Sequence, residues 1–217
     1  YYHYRLFTFA IKIMSKFDGL TIPGSDLNLR YGDVQIELFV DMAVGIGGDK
    51  WPAAETFCKL VAMSRWNSLF SREFSGKRVV ELGSGNGLAG IVIEKLFSPR
   101  EVVITDLESH ISHIQFNINK NKLKKCTARS LDWFDFNASD LGTFDVIIAL
   151  ECVYKEELYQ SLISTIVKLS TSETVTFLGL TREFSTPKFF ELLKINKLYY
   201  RKLPLSCFSV ENGNKEF

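Results

Sequence analysis

The chain has 217 residues, 46% of them hydrophobic and 24% charged, the composition of a globular domain able to bury one sizeable core. Lys+Arg number 26 against Asp+Glu 25, a formal net charge of +1, which argues against a protein that holds nucleic acid or an anionic membrane mainly through bulk electrostatics and leaves a local basic patch open. The first apolar stretch, Leu6 to Ile11, is far below the roughly 18 residues of a membrane span, and no cleavage-site pattern follows it. A strand is predicted where Val34, Ile36, Leu38, Val40 and Met42 alternate with polar residues such as Gln35, Glu37 and Asp41. Gly45, Gly47 and Gly48 break that pattern. Pro52 suits the first turn of a helix carrying Ala53, Phe57, Leu60 and Val61, so Trp51 sits at a loop-to-helix junction.

From Gly76 onward short β-rich runs alternate with helical segments, the pattern of βαβ units around a largely parallel sheet. Five strands are predicted, with cores at Arg78–Leu82, Val102–Thr105, Thr127–Leu131, Phe144–Leu150 and Thr174–Leu180. Ile111, Ile114 and Ile118 share one helical face, as do Leu158, Leu162, Ile166 and Leu169, and each face can cover the sheet. Ser185-Thr186-Pro187 offers a cap for a helix with Phe189, Phe190, Leu192 and Leu193. Leu198 to Leu203 reads as β-rich, and a last short strand around Cys207 to Val210 precedes a polar tail. No internal repeat appears, so residues 1–48 are expected to form an N-terminal β extension and residues 49–217 the main domain. Cys58, Cys126, Cys152 and Cys207 are scattered with no C-x-x-C pair, which indicates neither a zinc site nor a disulfide framework and fits a reducing, cytoplasmic setting. His110 and His113 have no evident third ligand and read as solvated; Lys120, Lys122, Lys124 and Lys125 read as a solvated loop.

The most informative segment is Val79-Val80-Glu81-Leu82-Gly83-Ser84-Gly85-Asn86-Gly87-Leu88-Ala89-Gly90, a buried strand running through glycines into an apolar helix. Glycines let a ligand approach the backbone, and the helix presents free N–H groups. Asp106 closes the next strand, near the position from which an acidic side chain accepts hydrogen bonds from a ribose, so the pair implies an adenosine-type ligand. Gly85, Gly87 and Gly90 spell the dinucleotide pattern G-x-G-x-x-G, while Glu81, Gly83, Gly85 and Gly87 spell E-x-G-x-G-x-G. A carboxylate at 81 gains nothing from a pyrophosphate and is expected to favour a ligand with positive charge, such as the amino group and sulfonium of S-adenosylmethionine.

With Trp51-Pro52-Ala53-Ala54, Val103-Ile104-Thr105-Asp106-Leu107-Glu108, Asn117-Ile118-Asn119-Lys120-Asn121, Leu131-Asp132-Trp133 and Phe144-Asp145-Val146-Ile147 leading to Glu151-Cys152-Val153-Tyr154, the chain resembles the seven-β-strand S-adenosylmethionine-dependent methyltransferases. More narrowly it is similar to the protein-lysine methyltransferases of the methyltransferase-like family. The Thr-Asp-Leu-Glu and Asn-Ile-Asn-x-Asn stretches, with Lys188 to Leu193, are most similar to the member acting on the AAA ATPase valosin-containing protein. The resemblance implies an α/β fold: a Rossmann-like, seven-stranded class I methyltransferase sheet with helices on both faces.

By that resemblance Glu81, Gly83 and Gly85 shape the methionine end of the cofactor site and Asp106 binds ribose hydroxyls. Trp133 stacks near the adenine beside Asp132, Trp51 walls the methionine side, and Leu150 belongs to the same site. Glu151 and Tyr154 match the family's acidic-x-x-Tyr motif as the catalytic pair, although the family most often has Asp at the first position. The implied reaction is methyl transfer from S-adenosylmethionine to a lysine of a protein substrate, such as an AAA ATPase, chaperone or translation factor, by a monomer needing no metal, nucleic acid or membrane. The residues leave open an acceptor that is a protein histidine or a small molecule, a non-catalytic cofactor-binding module, and an NAD-linked oxidoreductase, for which no hydride-transfer constellation is evident.

Overall fold

The computed structural model describes residues 5–10, 24–135, 141–180 and 187–203. In chain order its elements are β1 (Arg5–Ala10), β2 (Ser25–Tyr31), β3 (Val34–Val40), α1 (Pro52–Val61), α2 (Asn67–Phe74), β4 (Arg78–Leu82), α3 (Leu88–Phe97), β5 (Glu101–Asp106), α4 (Glu108–Lys120), β6 (Cys126–Ser130), β7 (Val146–Leu150), α5 (Tyr159–Leu169), β8 (Val175–Leu180), α6 (Pro187–Ile195) and β9 (Tyr200–Lys202). Seven strands form one sheet in the order β6-β5-β4-β7-β8-β1-β9, and every neighbouring pair is parallel. β2 and β3 pair antiparallel as a separate hairpin.

β7 and β8 are buried along their whole length, as strands covered on both faces must be. Alternation sends Val79, Val146, Ile148, Val175 and Phe177 into a core shared with α1, α2, α3 and α4. Val80, Leu82, Ile147, Ala149, Leu178 and Leu180 face a second core with α5 and α6. The result is the three-layer α/β/α arrangement expected, with the five predicted strands in place. Among the described residues no helix is long and apolar enough to cross a membrane.

The N-terminal segment divides differently from the expectation. β1 enters the main sheet between β8 and β9, pairing Arg5 with Val175 and Leu6 with Tyr200, so a boundary at 48/49 does not separate extension from sheet. The physical reason is the β8 edge, whose N–H and C=O groups need partners that β1 provides. Seven strands are reached through β1 and β9; Cys207 to Val210, like Ser185 and Thr186, lies outside the described residues.

The hairpin packs Ile36, Leu38 and Val40 into the α1–α4 core. The outer edge of β3 is closed by side chains rather than by a strand. Lys95 Nζ donates to Gln35 O at 2.6 Å. Asn121 accepts from Glu37 N–H at 3.1 Å and donates to Glu37 O at 2.7 Å, and Asn117 does the same with Phe39 at 2.8 and 3.0 Å. Lys120 is not part of a solvated loop: it lies 3.2 Å from Asp26 and 3.6 Å from Glu37, binding the hairpin to α4. Lys122, Lys124 and Lys125 are exposed as expected.

Candidate functional site

β5 and β6 lie on one side of β4 and β7 on the other, so the sheet changes direction between β4 and β7. In parallel sheets the crevice at the carboxyl ends beside such a point is where ligands bind. Gly83, Asp106, Leu131 to Trp133 and Glu151 to Tyr154 all follow the ends of strands there.

At Gly85 φ is +62°, and a Cβ would lie 2.5 Å from Gly47 O, so only glycine allows the loop after β4 to lie against the Gly45–Gly48 turn. Asn86 fastens the same contact, donating Nδ2 to Asp49 O at 2.8 Å and accepting from Leu88 N–H at 3.2 Å at the start of α3. Trp51, half-buried just before α1, donates its indole N–H to Ile46 O at 2.9 Å, which fixes the ring on this turn beside the loop. Opposite, a Cβ at Gly83 would lie 3.0 Å from both Cys152 Sγ and Trp133 Cζ2, so the half-buried Trp133 ring reaches the end of β4. Asp132 is exposed and turns its carboxylate onto Phe134 N–H at 2.9 Å.

Asp106 accepts from Gly85 N–H at 2.7 Å with one oxygen and from Leu107 N–H at 2.8 Å with the other. Each carboxylate oxygen retains a second acceptor direction, so the side chain that positions the glycine loop can also receive two hydroxyl donors. A half-buried carboxylate, an indole ring and a glycine backbone that Cβ atoms would obstruct fit an adenosyl group.

Glu81 differs from the expectation that its carboxylate meets a ligand's positive charge. Its side chain is 2% exposed and accepts from Gly90 N–H at 2.7 Å, with Ala89 N–H contributing, so it faces the first turn of α3. The N–H groups of a helix start are the nearest positive potential to a carboxylate on this strand face. Burial, reinforced by Asp106 and opposed by those N–H groups, pushes its carboxyl up to about 8. Glu81 therefore ties the end of β4 to the first turn of α3.

β7 ends with Leu150 in the α1–α4 core, and Glu151 N–H continues the ladder to Gly179 O at 2.9 Å. Glu151 then turns the chain with φ +60°, a conformation that costs a non-glycine residue about 1 kcal/mol. The turn sends Cys152 inward, where its thiol contacts Leu82 O at 3.1 Å, and leaves Tyr154 44% exposed at the mouth. Burial, together with Cys152, Asp106 and Glu157, raises the Tyr154 phenol above its usual range, so it stays protonated at neutral pH.

His110 and His113 are not solvated: they are 9% and 6% exposed. His110 Nδ1 meets Ser109 Oγ at 3.1 Å and lies 3.5 Å from Asp106, and its ring fills the space over Gly47. His113 stacks obliquely on Phe39, ring centroids 5.7 Å apart, and burial holds its imidazole below the usual range. Asn86, Asn117 and Cys152 also join the site, although the sequence offers them only as members of the motifs quoted above and with no role. Asn117 also keeps a four-residue spacing from Asn121 on one helix face. Among the described residues no cluster of three potential metal ligands occurs.

The sequence profile of a family described as lysine methyltransferase matches residues 31–196, a span that includes β3 and crosses the expected 48/49 boundary. Calmodulin-lysine N-methyltransferase of Arabidopsis thaliana is 34% identical over 163 residues, covering 70% of this chain and 51% of that protein. Protein N-lysine methyltransferase METTL21A of Danio rerio is 31% identical over 141 residues, 63% of this chain and 61% of that protein. The chain thus spans between half and two thirds of the length of these relatives. Among solved structures, precorrin 8w decarboxylase of Methanobacterium thermoautotrophicum superposes with a TM-score of 0.52 at 15% identity, covering 68% of this chain and 74% of that one, and so shares the fold.

Proposed function

Because the chain belongs to the lysine methyltransferase family, we propose that it transfers a methyl group from S-adenosylmethionine to the ε-amine of a lysine in a protein substrate. The observation that carries this reading is Asp106 on the Gly85 N–H with Trp133 and Cys152 against Gly83 at the same switch point, Cys152 lying between Glu151 and Tyr154 in the chain. When bound, the cofactor supplies an electrophilic methyl carbon on a positively charged sulfur. Asp106 receives ribose hydroxyls, Trp133 gives the adenine an aromatic face, and Trp51 walls the opposite end.

The acceptor amine must reach the site neutral. Lowering a lysine from about 10.4 to about 7 corresponds to roughly 4.6 kcal/mol, which desolvation by Tyr154 and Trp51 helps to supply. The Tyr154 phenol, kept protonated, lines the lysine channel without adding charge, and Glu151 orients the amine for in-line approach. In this reading the chain works as a monomer in the cytoplasm, and the free thiols of Cys58, Cys126 and Cys152 support a reducing setting.

The finer resemblance favours valosin-containing protein as acceptor, while names of relatives carry calmodulin and EEF1A. Calorimetry with S-adenosylhomocysteine, then mass spectrometry of lysate proteins that gain a methyl group from added enzyme and cofactor, tests the reading. A methylated histidine or small molecule would overturn the lysine assignment; cofactor binding with no methylated product would leave a binding module. Glu151→Ala is expected to lower turnover by at least about tenfold with cofactor affinity retained. Wild-type turnover in that variant would remove Glu151 from the mechanism.

A further inference from the structure

Asn117 is 0% exposed and has both of its amide hydrogens committed, one to Phe39 O on β3 and the other to Asn86 O in the glycine loop, each at 3.0 Å. Its oxygen accepts from Phe39 N–H at 2.8 Å. Asn121, one turn later on α4, makes the same pair of bonds to Glu37, but its second amide hydrogen goes to Asn117 O within its own helix, at 2.9 Å. The two asparagines therefore grip the hairpin alike, and only Asn117 touches the loop.

The bond to Asn86 O falls on a peptide that needs holding. The Asn86–Gly87 peptide carries the carbonyl that accepts from Asn117 and the N–H that closes the turn on Ser84 O at 3.1 Å. Gly87, at φ +81°, offers no Cβ to resist rotation of that peptide, so its orientation rests on the turn bond within the loop and on Asn117 from outside it. Asn86 also holds Asp49 O, two residues before Trp51, so this one residue ties the glycine loop to the segment that leads to Trp51.

We propose that Asn117 is a positioning residue through which the β2–β3 hairpin fixes the glycine loop, making affinity for the adenosyl ligand depend on hairpin docking. The consequence for affinity rests on the cofactor site proposed above; the consequence for the loop does not. The test compares Asn117→Ala with Asn121→Ala in the full chain. Amide exchange over residues 84–88 is measured without ligand, and S-adenosylhomocysteine affinity by calorimetry.

Asn117→Ala is expected to speed exchange over 84–88 and to weaken binding by about tenfold each, the effect of one buried hydrogen bond. Asn121→Ala is expected to lower the melting temperature as Asn117→Ala does, while changing loop exchange and affinity by less than about twofold. Equal effects of the two variants on the loop, or wild-type exchange in Asn117→Ala, would overturn the proposal. Should Asn117→Ala not fold, Asn117→Asp keeps the acceptor for Phe39 N–H, loses the donations to Phe39 O and Asn86 O, and must loosen the loop in the same way. If the wild-type chain fails to bind S-adenosylhomocysteine, the methyltransferase reading falls, and the exchange comparison still decides whether Asn117 positions the loop.

Discussion

The two faces of the sheet bury different chemistry. Under α5 and α6 the core is apolar apart from Cys152, Tyr159 and threonines such as Thr105, whose hydroxyl closes on Glu81 O at 2.7 Å, and Thr174, whose hydroxyl closes on Phe144 O at 2.6 Å. On the α3 and α4 side lie a buried carboxyl, three buried asparagines and two buried imidazoles: Glu81, Asn86, Asn117, Asn121, His110 and His113. Burial without direction suffices to hold a layer of helices, whereas fixing loops to a fraction of an ångström requires directional bonds, and buried polar groups must be satisfied to be tolerated. One face stores stability and the other stores geometry.

That contrast can be broken by substitution. The largest effect is expected from Gly85→Ala, whose methyl group would strike Gly47 O at 2.5 Å in a left-handed conformation. It should cost about 3 kcal/mol or more and weaken S-adenosylhomocysteine binding by at least about a hundredfold, read by denaturant titration and calorimetry. Leu162→Ala on α5, fully buried in the opposite core, should cost about 3 kcal/mol with affinity unchanged well below the melting transition. An affinity loss in Leu162→Ala would show that the faces are not separable.

A smaller effect concerns Glu81, whose carboxyl rises from 4.5 to about 8 on folding. Between those values the folded chain keeps a proton that the unfolded chain has released, so its contribution is fully present below the lower value and is lost as pH rises through the upper one. Denaturation midpoints should fall between about pH 5 and pH 8, and Glu81→Gln should flatten the profile. A profile of unchanged slope in that variant would mean that Glu81 is ionised in the folded protein.

Much of the apolar architecture was legible because it is written locally. β7 is an unbroken apolar run, β4 and β8 are rich in Val, Leu and Phe, and Pro52 marks the start of α1. β2 escaped notice because Ser25, Asp26, Asn28 and Arg30 leave it few apolar residues, and α2 because only Leu69, Phe70 and Phe74 mark its apolar side. The site was legible where glycines and Asp106 keep a fixed spacing, and illegible where it depends on what the hairpin covers. His110 and His113 look like surface residues on α4 until β3 and the Gly45–Gly48 turn lie over them. Glu81 was placed correctly on its strand, but its direction is set by α3, whose N–H groups lie nine residues farther on. No local pattern records that competition.

β1 joins two strands from the far end of the chain, although it is synthesised before either. Its hydrogen-bonding partners do not exist while most of the polypeptide is still being made. The β8 side of the sheet must therefore be completed last, by a closure that brings distant segments together and pays its loop entropy late. Until β8 and β9 are made, β1 is an unpaired strand open to other nascent chains, and its protection during synthesis falls to whatever binds extended apolar segments.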